Sequence, residues 1–249
     1  MKRLLLLAVL LSTLPIHGQT VKILGKKVTP GAPDIAFIQS ATNGAGCDAG
    51  SSSTVAATFG SNITAASGIV VLYSIDSDPD ATNCSAATVA DTRSNSYTVA
   101  VTINNATNNQ CIGIAYAVNS SAGANTVTVT FPTSDGSRTI AVLEYSNVKT
   151  SAASDGTNSA YNAAVSTWLS GSITTTVNGD LVVGGTECSS SSSTSHAPGS
   201  GFTERVDLWT CRLAVVDQIQ TSAGAIEASG TLTGGSGNCL GAALALKKQ

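Results

Sequence analysis

Three aspartates lie two residues apart in the stretch IDSDPDATN. Calcium is a hard cation that prefers oxygen ligands, so Asp76, Asp78 and Asp80 are the candidate metal ligands of this chain. The EF-hand pattern is incomplete, because Ala81 stands where its glycine belongs and Ala87 where its glutamate belongs. An ordinary solvated turn explains the same residues, and the sequence leaves both interpretations open.

Four glutamates are candidates for paired acid–base chemistry, since a glycosidase needs two carboxyl groups about 5–9 Å apart. They are Glu144, Glu187, Glu204 and Glu227. Glu144 shares its strand parity with Ile140 and Val142, which predicts an inward-pointing side chain. A buried glutamate more often pairs with an arginine, here Arg205 or Arg212, than it performs chemistry.

Serine-hydrolase chemistry needs a histidine that a third group holds in place. His196 follows the run Ser189–Ser193, but a serine-rich loop supports an imidazole poorly. No Gly-x-Ser-x-Gly nucleophile elbow occurs. We therefore predict no catalytic residue and no enzyme activity.

Three aromatic side chains are candidate ligand-binding residues, because sugar rings stack on large, rigid aromatic faces. Tyr161 and Trp168 lie in an irregular segment, where they either are exposed or close one end of a sandwich. Trp209 shares strand parity with Cys211 and Leu213, which favours a core position over a binding platform.

Six cysteines lie beyond residue 18, and an even number in an exported chain indicates three disulfides. A zinc site is not expected, because no CxxC pair occurs and histidine is scarce. Two of the cysteines bracket the serine-rich stretch on successive strands, so a bridge between them would hold the base of its loop. The predicted pairs are Cys188–Cys211, Cys84–Cys111 and Cys47–Cys239.

The chain opens MKRLLLLAVLLSTLPIHGQT, with a basic start, an apolar run and small residues before Gln19. This order predicts a secretory signal peptide over 1–18, and its apolar run is too short to span a bilayer. Residues 19–249 are then a single secreted or extracellular domain without a membrane span. A net charge of −3 and scattered arginines argue against nucleic-acid binding.

Short runs of Val, Ile and Thr alternate with Gly, Asn, Ser and Asp, which predicts strands joined by turns. In NTVTVTF, Val127, Val129 and Phe131 share one face and threonines the other, as in a sheet with one solvated side. RTIAVLEY is apolar on both faces, which indicates a central strand. A dozen such strands without interleaved helices predict an all-β fold, an antiparallel two-sheet β-sandwich. We find no internal repeat in the sequence.

Three segments have more specific predictions. Residues 173–185, ITTTVNGDLVVGG, are predicted to form a β-hairpin around Asn178-Gly179, because the phosphate-loop and dinucleotide-loop patterns are both incomplete. Residues 159–169 fit either a short helix or an edge strand. Residues 188–201 are serine-rich and predicted to be a long hairpin loop.

Several phrases occur in order along the chain: VADTRSNSYTVAV, IAYAVNSSAGANTVTVTF, IAVLEYSNV, ITTTVNGDLVVGG and VVDQIQTSAGAIEASGTL. Together they resemble a jelly-roll-like β-sandwich domain of uncharacterised secreted and surface proteins of environmental bacteria. The resemblance covers about Val55 to Lys248. It implies a jelly-roll-like sandwich, an extracellular setting and, by association only, adhesion or glycan contact. The six cysteines and the serine-rich loop depart from the family.

The leading functional prediction is a non-catalytic, secreted binding or adhesion module that contacts glycan, a cell-surface polymer or a neighbouring protein through its loops. The alternative is a structural extracellular protein that self-assembles into a surface layer or filament by strand addition at sheet edges. A glycoside hydrolase ranks third. No cofactor is expected beyond a structural calcium ion.

Overall fold

Some strands are apolar on one face and others on both faces, and together they form a layered, antiparallel all-β structure. A computed structural model of the chain describes residues 32–44, 47, 52–76, 83–134, 136–189 and 195–249. The predicted signal peptide 1–18, Asp78, Asp80 and residues 190–194 lie outside the described residues. In the described part of the chain, no helix has the length and apolar character needed to cross a membrane.

Residues 36–146 contribute eight strands. These are β1 Ala36–Thr42, β2 Thr54–Thr58, β3 Gly68–Asp76, β4 Thr88–Asp91, β5 Thr98–Asn105, β6 Gln110–Ala117, β7 Thr126–Thr130 and β8 Arg138–Ser146. They form a five-stranded sheet of order β1-β8-β3-β6-β5 and a three-stranded sheet of order β2-β7-β4. We call these sheets the N-terminal main sheet and the N-terminal outer sheet.

Residues 154–246 contribute ten strands and one 3₁₀ turn. These are β9 Ser154–Val165, β10 Thr167–Leu169, β11 Ile173–Thr174, β12 Asp180–Ser189, β13 Ser195–Pro198, β14 Thr203–Leu208, the 3₁₀ turn Trp209–Cys211, β15 Leu213–Gln220, β16 Ala225–Ile226, β17 Ser229–Thr233 and β18 Gly237–Leu246. The C-terminal main sheet has the order β14-β15-β12-β18-β9, and the C-terminal outer sheet has the order β10-β17-β13. The short strands β11 and β16 pair separately.

The two sets of strands have the same arrangement. The two main sheets have the same strand order when their strands are matched along the chain. The matching pairs are β1 with β9, β3 with β12, β5 with β14, β6 with β15 and β8 with β18. The outer sheets correspond in the same way, with β2-β7-β4 matching β10-β17-β13. A bulge between Val99 and Val101 on β5 recurs between Glu204 and Val206 on β14. The chain therefore contains two structural repeats, which we call the N-terminal and C-terminal repeats.

A short sequence match supports the duplication. Ser121–Ala124 and Ser222–Ala225 both read SAGA. The first precedes β7, and the second precedes β17, the strand that corresponds to β7. Gly123 and Gly224 both have a positive φ, 126° and 149°, which side chains other than glycine rarely adopt. The sequence-based conclusion that no internal repeat exists is therefore wrong. The duplication is hard to see in the sequence, because this match spans only four residues and the corresponding strands share apolar patterns rather than identical residues.

Three apolar layers hold the sheets together. The two main sheets face each other through a shared core, and each outer sheet covers the outward face of its own main sheet. The shared core includes Val70, Leu72, Leu143, Val183, Val215 and Leu244. The outer cores include Val71, Val127, Val129 and Ile140 in the N-terminal repeat and Trp168, Val182, Leu232 and Ala243 in the C-terminal repeat. Central strands such as β3, β8 and β12 are thus buried on both faces.

The structure confirms the predicted all-β antiparallel sandwich and the central position of RTIAVLEY in β8. Two local predictions are wrong. Ile173–Thr174 pairs with β16 rather than with β12, so residues 173–185 connect two sheets instead of forming a hairpin. The serine-rich stretch contains β13 of the outer sheet, so it too links different sheets and is no hairpin loop. Of the two alternatives for residues 159–169, the edge strand is the observed one, since Tyr161 lies in β9.

Two disulfides form, each within one repeat. Cys84 is bonded to Cys111, which is the predicted pair. Cys188 is bonded to Cys239, and the predicted Cys188–Cys211 and Cys47–Cys239 pairs are wrong. The reason is sheet order: β12 pairs with β18 as well as with β15, and Cys188 and Cys239 stand directly opposite each other in that register.

Candidate functional site

One end of the C-terminal repeat brings together the groups best placed to contact a ligand. β14 ends at Leu208, and the chain turns through the 3₁₀ turn before β15 begins at Leu213. Arg212 closes the turn in the left-handed conformation, with φ 59°, and its N–H donates to the carbonyl oxygen of Trp209 at 3.0 Å. This turn connects β14 to β15, which pair up to Leu208 and Leu213 on either side of it, and leaves Trp209 half-buried at the surface.

The indole of Trp209 is backed by a fixed imidazole. The rings of His196 and Trp209 have centroids 5.7 Å apart and are tilted by 56°. The Nδ1 atom of His196 lies 3.1 Å from a carboxylate oxygen of Asp207, and the His196 backbone N–H donates to the other oxygen at 3.2 Å. His196 is 6% exposed, and its Nε2 atom has no hydrogen-bond partner among the described residues. The His196–Asp207 contact therefore ties β13 to β14 and holds the face on which Trp209 rests.

A shallow pocket of about 210 Å³ opens beside this indole. It is lined by Asp207, Leu208, Trp209 and Thr210. The lining combines an aromatic ring, an apolar side chain, a carboxylate and a hydroxyl, which is the mixture that small-molecule sites use for contact area and for orientation. We call it the Trp209 pocket.

A polar cluster lies where the two repeats meet, with Gln110 and Glu187 buried and Asp76 and Arg212 half-buried. The side chain of Gln110 donates to Glu187, and Arg212 forms an ion pair with Asp76 at 2.5 Å. Glu187 is completely buried, and burial followed by the nearby charge of Asp76 raises its pKa well above the ordinary value. Arg212 and Gln110 oppose that shift without cancelling it. Burial therefore favours the neutral form of Glu187, and the cluster joins the two repeats.

The three predicted ligand-binding aromatics do not share a site. Tyr161 is 45% exposed on β9, the edge of the main sheet opposite to β14, and its hydroxyl accepts a hydrogen bond from Asn108 at 3.1 Å. Trp168 is completely buried under the C-terminal main sheet, so its predicted role as an exposed platform is wrong. It lies in β10, whose inward face points to the outer core. Trp209 borders the pocket described above.

Among the described residues, the predicted metal ligand Asp76 and the predicted acid–base residue Glu144 are engaged in structural contacts. Asp76 pairs with Arg212, and no group of three or more His, Cys, Asp or Glu side chains in the described ranges could hold a metal ion. Glu144 accepts hydrogen bonds from Gln39 at 2.7 Å and from the Thr64 backbone N–H at 2.6 Å. The predicted arginine partner of Glu144 is therefore wrong, since Arg205 binds Asp217 and Arg212 binds Asp76.

Sequence analysis missed a second carboxyl pair. Asp155 and Asp180 influence each other's protonation. Burial, followed by the interaction with Asp155 and its charge, raises the pKa of Asp180 to about 7. Thr176 and Lys247 bind Asp155 at 2.6 Å and 3.1 Å. Residues 173–185 contain Asp180, but nothing in the sequence indicates that Asp155 meets it.

The His196–Trp209 arrangement was missed for a similar reason. His196 lies in β13 of the C-terminal outer sheet and Trp209 in the 3₁₀ turn after β14 of the main sheet, so no local pattern indicates their contact. Comparison with known proteins adds no relative: no protein-family model, no curated protein and no solved structure matches this chain. The resemblance to a family of secreted sandwich domains stays a prediction.

Proposed function

We propose that this protein is a secreted, non-catalytic binding module whose Trp209 pocket holds a sugar unit of a glycan or other cell-surface polymer. The observation that carries the proposal is the half-exposed indole of Trp209, backed by His196 and bordered by Asp207 and Thr210. The C–H face of a sugar ring stacks on an indole, and its hydroxyls bond to carboxylate and hydroxyl groups.

Two further observations support parts of the proposal. Disulfides form and persist in oxidising compartments, so Cys84–Cys111 and Cys188–Cys239 support an extracellular setting. The buried carboxylates of Glu144 and Asp217 are bound by neighbouring donors, which is the arrangement of structural groups rather than of a free acid–base pair.

The test is binding of the purified protein to insoluble polysaccharides and to a glycan array. Trp209→Ala should weaken binding about tenfold or more, because aromatic anchors dominate binding energy. Tyr161→Ala is the matched control, since it removes an exposed aromatic at the opposite edge of the same sheet and should leave binding unchanged. Equal binding by wild type and Trp209→Ala would refute the proposed pocket.

Fluorescence gives an independent readout. Trp168 is buried, so a change in tryptophan emission on adding a bound oligosaccharide should come from Trp209 and disappear in Trp209→Phe. The same assays with a calcium chelator test the predicted calcium ligands Asp76, Asp78 and Asp80. Binding lost with chelator and restored by calcium would support a structural calcium ion there.

The second candidate function is self-assembly into an extracellular layer. It is favoured by β9, a twelve-residue strand at a sheet edge that contains no lysine, arginine or proline. Edges without such residues accept further strands readily. No glycan binding, together with particle size that rises with protein concentration in light scattering, would favour this function over the first.

A further inference from the structure

Four of the six cysteines are paired in disulfides, and two are not. Cys84–Cys111 lies within the N-terminal repeat, and Cys188–Cys239 lies within the C-terminal repeat. Cys47 and Cys211 remain as thiols, one in each repeat. An oxidised chain with an even number of cysteines ordinarily pairs all of them, and only these two are left to pair.

The two remaining thiols are neighbours in space. The sulfur of Cys47 lies 3.1 Å from the carbonyl oxygen of Thr210, the residue that directly precedes Cys211. That carbonyl belongs to the peptide unit that ends at the Cα atom of Cys211, so the contact brings the Cys47 sulfur to the Cys211 main chain. Cys211 is 2% exposed, and Cys47 is half-buried.

We propose that Cys47 and Cys211 form a third disulfide, the one covalent bond that joins the two repeats. It connects the segment between β1 and β2 to the 3₁₀ turn, across the end of the shared core. Because Cys211 ends the turn that begins at Trp209, the bond also anchors the backbone that carries this indole. The bond is independent of any ligand at the Trp209 pocket.

The chemistry is an ordinary thiol–disulfide exchange with a small disulfide such as oxidised glutathione. The Cys47 thiolate attacks one sulfur of the oxidant, forms a mixed disulfide and releases one reduced thiol. The Cys211 thiolate then attacks the Cys47 sulfur and releases the second. The two cysteines lose two protons and two electrons, and one oxidant disulfide becomes two thiols.

The bond should form during folding rather than after it. Burial, followed by the contact with Cys211, raises the pKa of the Cys47 thiol to about 12 once the site is closed. Thiolates rather than thiols attack disulfides, so the folded, reduced site reacts slowly. Folding in an oxidising compartment avoids this barrier.

Tryptic mapping without reduction tests the pairing, because cleavage after Lys and Arg separates the relevant cysteines. Cys211 falls in the short peptide 206–212, Cys47 and Cys84 in 28–93, and Cys111 in 94–138. After refolding with oxidised and reduced glutathione and capping of free thiols, we expect 206–212 to be joined to 28–93 and 94–138 in one species. The other two cysteines should join 150–205 to 213–247.

Other outcomes overturn the proposal. These are release of 206–212 with Cys211 capped, a glutathione adduct on Cys211, and 206–212 joined to 150–205. The variants Cys47→Ser and Cys211→Ser should each release 206–212 from the three-peptide species and leave the Cys188–Cys239 link intact. Because Cys47 and Cys84 share the peptide 28–93, the variants identify the partner of Cys211, and Cys84→Ser should keep 206–212 joined to 28–93.

Discussion

The buried polar residues mark the contact between the two repeats. Gln110 meets Glu187, Asp76 meets Arg212, and the Tyr145 hydroxyl donates to Asp217 at 2.8 Å. In each pair, one residue belongs to each repeat. The guanidinium of Arg205 also lies 4.2 Å from the centre of the Phe37 ring. Removing one member of such a buried pair leaves the other without compensation, so these contacts favour one arrangement of the repeats over others.

Glu187 makes this contact sensitive to pH. A carboxyl group whose pKa is raised on folding contributes stability below its ordinary pKa of 4.5, and that stability is lost as the pH rises through the folded-state value. We expect the free energy of unfolding of the wild type to fall as the pH rises above 4.5 toward the raised folded-state pKa, and Glu187→Gln to fall less. Urea denaturation at a series of pH values measures both curves.

Glu227→Gln is the control for this comparison, because Glu227 is half-buried between β16 and β17 and away from the contact between the repeats. It should follow the wild-type curve. If Glu187→Gln also follows the wild-type curve at every pH, Glu187 does not carry the effect.

At the scale of single elements, the short outer strands protect the main sheets. β10 has only three residues, yet its Trp168 packs against the C-terminal main sheet. A Cβ atom at Gly230 would lie 2.6 Å from the indole nitrogen, so the glycine of the paired strand makes room for the ring. The strand is therefore held by its tryptophan more than by its few backbone hydrogen bonds.

Trp168→Ala should lower the free energy of unfolding by about 3–5 kcal/mol, the usual result of emptying a buried tryptophan site. Tyr161→Ala, which truncates an exposed aromatic on the neighbouring strand, should change it by about 0.5 kcal/mol. Chemical denaturation followed by circular dichroism compares the two. Similar losses in both variants would contradict the assigned role of β10.

At the scale of the whole molecule, the repeats associate as the halves of a two-fold dimer do. The sheet orders and core contacts place β1 beside β14 and β5 beside β9. Because β1 corresponds to β9 and β14 corresponds to β5, the two contacts are equivalent under the duplication. Such a two-fold arrangement uses the same surface of each partner. Because the shared core belongs to both repeats, neither repeat buries its main sheet alone, and we expect them to unfold together.

Tryptophan emission can test this cooperativity, because both tryptophans lie in the C-terminal repeat whereas circular dichroism reports both repeats. Ile140→Ala opens a cavity in the outer core of the N-terminal repeat and should cost about 2–5 kcal/mol. We expect the emission midpoint in urea to shift together with the circular dichroism midpoint.

An unshifted emission midpoint beside a two-step circular dichroism curve would show that the repeats unfold independently. The wild type serves as the reference, and its two midpoints should coincide.

Local sequence patterns predicted the strands well where burial of one or both faces of a strand sets the order of its apolar residues. The alternation in NTVTVTF corresponds to β7, with Val127 and Val129 buried and the threonines toward solvent. The doubly apolar RTIAVLEY corresponds to a central strand for the same reason. β13 was missed, and residues 159–169 of β9 and β10 were left open between a helix and an edge strand, because short or polar strands at a sheet edge lack a clear period.

The sequence by itself determined the all-β class, the antiparallel sandwich and the positions of most strands, because these depend on neighbouring residues and on the two-residue period of a strand. Only the tertiary structure decided which strands are neighbours, and with it the duplication, the Cys188–Cys239 bond, the burial of Trp168 and the His196–Trp209 contact. These features join residues that are distant in the chain. Strand order follows from how whole sheets pack, and no local pattern records it.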